Sequence, residues 1–130
     1  MTSIETEKLI GQTFVKHERT TNIDGNEALI FYNGKGEGFM FSHCQDCCES
    51  VSIDDINGDL DDLLNSVILK AEKKSNSNEL NHGSETWTFY KFATIKGYVT
   101  VKWYGESNGY YSEEVDLYYF SENENSSSSF

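Results

Sequence analysis

The stretch FSHCQDCCESV, residues 41–51, gathers all three cysteines of the chain within five positions and sets a histidine directly before them. Three chemistries could use such a cluster. Cys44-x-x-Cys47 is half of a zinc site, and His43 and Cys48 complete it only if the chain folds back sharply. Tetrahedral zinc is usually held by two separated pairs, yet no second Cys-x-x-Cys or His-x-x-x-His occurs, and His17 and His82 are isolated. A thioredoxin-like redox pair requires a helix N-terminus following a strand. A nucleophilic cysteine served by His43, His17 or His82 works against Asp46 and Glu49, whose charges suppress a nearby thiolate.

The residues favour a structural role over all three. Cys47 or Cys48 packs as a small hydrophobe, while Asp46 and Glu49 accept backbone hydrogen bonds in a bend. The expectation is therefore no cofactor, with zinc on His43, Cys44, Cys47 and Cys48 as the alternative. An odd number of cysteines gives no disulfide framework. Adjacent Cys47 and Cys48 bridge only with strain, so reduced thiols are expected, as in a cytosol.

Charge supplies the second feature. The chain carries 22 Asp and Glu against 10 Lys and Arg, a net −12 that repels nucleic acid and anionic membranes. From Gln45 to Asn65 there are seven acids and no base: Asp46, Glu49, Asp54, Asp55, Asp59, Asp61 and Asp62. From Tyr104 to Asn125 there are six more, again without a base: Glu106, Glu113, Glu114, Asp116, Glu122 and Glu124. Solubility explains such runs in general. A surface that meets a basic protein is the sharper reading, with Tyr110 and Tyr111 as anchors beside Glu106, Glu113 and Glu114. The expected contact set is Asp54, Asp55, Asp59, Asp61 and Asp62 together with those loop residues.

These side chains need a scaffold, and 130 residues with 14% aromatics make one compact domain. No proline occurs and no apolar run reaches 18 residues, so no helix spans a bilayer. The start, MTSIETEKLIGQTF, lacks the pattern of a secretory signal.

Strands dominate the pattern. LIGQTFVKHE opens with a short turn or helical segment before extending over 13–18. EALIFYN and FMFSH flank GKGEG as a hairpin; the glycines lack the Lys-Ser/Thr of a phosphate loop. Val51 and Ile53 alternate in a short strand. Asp59 caps a short helix carrying Leu60, Leu63 and Leu64 and ending near Asn65. A calcium loop through Gly58 fails, because Ile53 and Leu64 would occupy ligand positions. KKSNSNELNHGS, residues 73–84, reads as an exposed loop.

ETWTFYKFATI, YVTVKWYG and YYSEEVDLYYF read as three strands of an antiparallel meander with one packed face, Asn108-Gly109 turning the second hairpin. The expected fold is α+β but predominantly β: a twisted antiparallel sheet with one short helix. It forms a single domain over residues 1–120, followed by a disordered polar tail over 121–130. The Asn125-Ser-Ser sequon in that tail is inert in a cytosol.

LIGQTF, QDCCESV, IDDINGDLDDLL, ETWTFYKFATIKGYVTVKWYG and SNGYYSEEVDLYYF together resemble a small phage and prophage family filed as a domain of unknown function (DUF7448). The resemblance covers residues 9 to about 120 and implies expression in the cytoplasm of a bacterial host. In that family the position of Cys44 is often acidic, which implies that Cys44 is not a general ligand. With no catalytic constellation in view, the expectation is a non-enzymatic protein. It would bind a basic surface on a host protein, such as a nuclease or another antiviral defence component.

Overall fold

The computed structural model describes residues 1–121. Nine strands are present among them: β1 (Thr2–Ile4), β2 (Phe14–Thr21), β3 (Glu27–Asn33), β4 (Glu37–Ser42), β5 (Ser50–Asn57), β6 (Lys70–Leu80), β7 (Gly83–Thr94), β8 (Gly97–Ser107) and β9 (Asp116–Ser121). Two 3-10 turns, Thr6–Leu9 and Leu60–Leu63, complete the regular structure. None of these elements is a helix long and apolar enough to cross a membrane.

The strands form two antiparallel sheets, ordered β1-β9-β4-β3-β2 and β5-β8-β7-β6. Alternation decides which side chains meet between them. Leu29, Phe31, Phe39, Phe41 and Leu117 of the first sheet pack with Val51, Tyr90, Phe92, Val99, Val101 and Trp103 of the second. Phe41 lies 4.6 Å from Tyr90 and 5.5 Å from Phe92 between ring centroids, so aromatic edges lock the layers together. The outer face of the first sheet carries a smaller buried cluster: Ala28, Ile30, Met40 and Phe120. EALIFYN is thus buried on both faces, unlike a strand with one wet side.

Four expectations are corrected. The short helix is a single 3-10 turn. Asp59 does cap it, accepting from the Asp61 amide at 2.9 Å. Beyond Leu63 the backbone turns extended, because the Asn65 amide donates to the Phe14 carbonyl at 2.7 Å and Asn65 adopts φ 60°. Residues 73–84 are not a loop but most of β6 and the turn into β7. Their polarity reflects an edge strand exposed on both faces, which leaves no alternation to read.

Asn108-Gly109 does not close a hairpin. Gly109 takes φ +96°, yet the chain then leaves the second sheet, and β9 inserts between β1 and β4 of the first. Burial of Val115 and Leu117 in the shared core draws it there. The single sheet expected is consequently two layers with crossovers between them; β2-β3-β4 and β6-β7-β8 are antiparallel meanders, but β7-β8-β9 is not. Of the expected tail, Ser121 ends β9, while residues 122–130, with Glu122, Glu124 and Asn125, lie outside the described residues.

Candidate functional site

The bend after β4 is anchored by a buried ion pair. His43 is 2% exposed, its Nδ1 lies 2.7 Å from the Glu114 carbonyl, and its Nε2 lies 2.9 Å from a Glu49 oxygen. A carbonyl can only accept, so Nδ1 carries a proton. The Glu49 carboxylate also accepts from the Asp46 and Cys47 amides, each at 2.8 Å, and from Gln45. Burial pushes the Glu49 pKa up, but the Asp46 amide, His43 and the Cys47 amide outweigh it and bring it down to about 2. Both ring nitrogens of His43 are thus engaged, one by the Glu114 carbonyl and the other by the Glu49 carboxylate.

This arrangement bears out half of the structural reading. Glu49 holds backbone amides in a bend, as expected; the cysteines are not its anchor. Cys44, Cys47 and Cys48 are all exposed. Cys47 and Cys48 lie side by side at the surface, contrary to the packing expected, and Cys44 is a free thiol. His43 and Glu49 fill the interior, which leaves the sulfurs at the tip.

The four residues singled out for zinc are not brought together as ligands. Both nitrogens of His43 are engaged, and no group of three or more His, Cys, Asp or Glu side chains suited to a metal ion occurs among the described residues.

In the described part of the second acidic run, Glu113 is buried among hydroxyl donors, and Glu114 and Asp116 share one lysine. Glu113, expected on the surface, is 5% exposed. It accepts from Ser84 at 2.9 Å, from Thr86 at 2.8 Å and from Ser107. Burial raises its pKa, yet hydrogen bonds from Ser107, Thr86 and Ser84, with the charge of His43, hold it below the usual carboxylate range. Gly105 makes room for it: a Cβ there would stand 2.7 Å from the Glu113 Cβ. Glu114 pairs with Lys73 at 2.9 Å, and Asp116 reaches the same ammonium at 3.4 Å. Glu106 is exposed but accepts from the Tyr104 hydroxyl at 2.5 Å, a bond that pushes the Tyr104 pKa up. Tyr110 stands 88% exposed, and Tyr111 is half-buried.

The first run behaves differently. β5 is an outer strand of its sheet, and Asp54 and Asp55 sit on it at a bulge. Asp59, Asp61 and Asp62 follow in the turn at its end. Asp54 approaches Lys102 only to 3.5 Å, and Asp61 meets His17 at 2.8 Å. Asp46, Asp55, Asp59 and Asp62 have no cation within ion-pair distance among the described residues. All are exposed except the half-buried Asp62. The β5 edge and the turn at its end therefore show concentrated, mostly uncompensated negative charge among the described residues.

The family model described as a domain of unknown function (DUF7448) matches residues 7–117, nearly all of the folded body. The chain belongs to that family. The matched span of this DUF7448 domain contains the His43–Glu49 pair, the buried Glu113 and the whole acidic edge. No curated protein and no solved structure matches it.

Proposed function

We propose that this DUF7448 domain is a non-enzymatic binding protein of phage or prophage origin, acting in the cytoplasm of a bacterial host. It presents the β5 edge to a basic surface on a host protein, in the sharpest version a nuclease or another antiviral defence component that it occludes. The observation that carries this reading is the exposed set Asp46, Asp54, Asp55, Asp59 and Asp61, which among the described residues meets only Lys102 and His17. Carboxylates fixed on a strand and its end turn keep their geometry on binding, so little ordering entropy opposes the contact. Lys and Arg of the partner would be steered there by long-range attraction.

The loop from Glu106 to Ser112 is a weaker contributor than its composition suggests, because Glu113 is buried and Glu114 is paired. Tyr110, exposed at its tip, is the one anchor that stays available. A chain in which Asp54, Asp55, Asp59, Asp61 and Asp62 are changed to Asn tests the reading. Asn preserves the cap at position 59, so folding is kept while the edge loses its charge. The expected result is capture of a host protein by the native chain and none by the variant. Equal capture by both would contradict it.

A further inference from the structure

Unpaired N–H and C=O groups make every sheet edge a template for another strand. Three of the four edges here are blunted. β1 is three residues long. β2 carries a bulge between Phe14 and Lys16, and isolated bridges tie Phe14 to Leu64 and Thr13 to Val67. β5 is bulged between Ile53 and Asp55 and lined with aspartates.

β6 is neither short nor bulged, and its charged residues, Lys70, Glu72, Lys73, Lys74 and Glu79, are of both signs. It pairs with β7 over eleven consecutive positions without a bulge, from Lys70 opposite Ala93 to Leu80 opposite Gly83. Residues 72–80 are all exposed. The central four, Ser75, Asn76, Ser77 and Asn78, carry no charge that would repel an incoming strand.

We propose that β6 pairs antiparallel with β6 of a second copy across a two-fold axis, joining two four-stranded sheets into one of eight. A molecule at −12 repels its own copies, so self-association needs a seam that is not negative. β6 supplies one, with Lys70, Lys73 and Lys74 against Glu72 and Glu79. The order of these charges selects the occupant. Lysines crowd the start of the strand and Glu79 stands near its end, so antiparallel self-pairing lays each lysine end along the other copy's glutamate end. Parallel pairing would set like on like.

Face alternation narrows the register further. Lys73 and Glu79 lie opposite Tyr90 and Ser84 of β7, on the side that faces the other sheet; Lys74, Asn76 and Asn78 lie on the outer side. A two-fold centred on Asn76 keeps the sides matched. It sets Lys73, which also pairs with Glu114 and Asp116 of its own chain, against Glu79 of the partner subunit and Lys74 against Asn78 of the partner subunit. The contact is isologous and closes at two copies.

Light scattering and sedimentation of the full chain, from micromolar to hundreds of micromolar, test this directly. The native chain is expected at twice its 14.8 kDa mass. Asn76→Lys brings two lysines together at the two-fold, and Glu79→Lys opposes Lys73; both side chains are exposed, and both variants are expected to be monomers with unchanged circular dichroism. Should one variant fail to fold, the other decides. A native chain that stays monomeric throughout, variants that remain dimeric, or open-ended growth beyond two copies would each overturn the two-fold β6 seam.

Discussion

Glu49 shows how much of the bend rests on one side chain. It joins His43, two backbone amides and Gln45 inside the protein. Changing Glu49 to Ala leaves the buried His43 ring and two backbone amides without their acceptor and is expected to remove about 3–5 kcal/mol of stability, measured by urea unfolding; a loss below about 1 kcal/mol would contradict the pairing. The same carboxyl gives a pH dependence. Its pKa is about 2 in the folded chain against an ordinary 4.5, so the stabilisation is full above 4.5 and is lost as pH falls toward 2. Urea midpoints followed over that interval should decline in the native chain and decline less in the Ala variant. Thr88 offers the opposite case. Its hydroxyl is buried and finds no hydrogen-bond partner among the described residues. Thr88→Val should therefore raise stability by about 1 kcal/mol. That Glu49 would accept local backbone hydrogen bonds was legible from its type and position; Asp46, given the same role, instead donates its amide to Glu49. That His43 would reach Glu114, 71 residues away, was not legible, since nothing local encodes that contact.

At the scale of elements, strands with one clear pattern were readable and those shaped by long-range pairing were not. Val99, Val101 and Trp103 alternate and are buried as the pattern demands. β6 was invisible because an edge strand exposed on both faces has no period, and its partner β7 supplies the reason to extend. The crossover after β8 was hidden for another reason. Asn108-Gly109 has hairpin chemistry, but Val115 and Leu117 are better buried beside the first sheet, and tertiary packing overrides the turn. Glu113 sits at that crossover and enters the interior only because β8 has a glycine opposite it. Gly105→Ala should destabilise the chain by about 1–3 kcal/mol through crowding, read from the thermal midpoint. Unchanged melting would show that the crossover can shift without Glu113.

For the whole molecule, the decisive quantity is where net charge −12 remains uncompensated. The sequence displays two acidic runs of similar weight, and only folding separates them. Among the described residues, Glu113 is buried in hydroxyl bonds and Glu114 and Asp116 share Lys73, while the run along β5 stays exposed. Exposed charges more than about 10 Å apart are screened at 0.1 M salt, so binding through this edge should weaken steeply as salt rises. The most direct test is capture from a bacterial host extract by the native chain and by the chain with Asp54, Asp55, Asp59, Asp61 and Asp62 changed to Asn, each at low and at molar salt. The account predicts one retained protein with a basic surface, released by salt and absent from the Asn variant. The same protein held equally by both chains, or held without regard to salt, would contradict it.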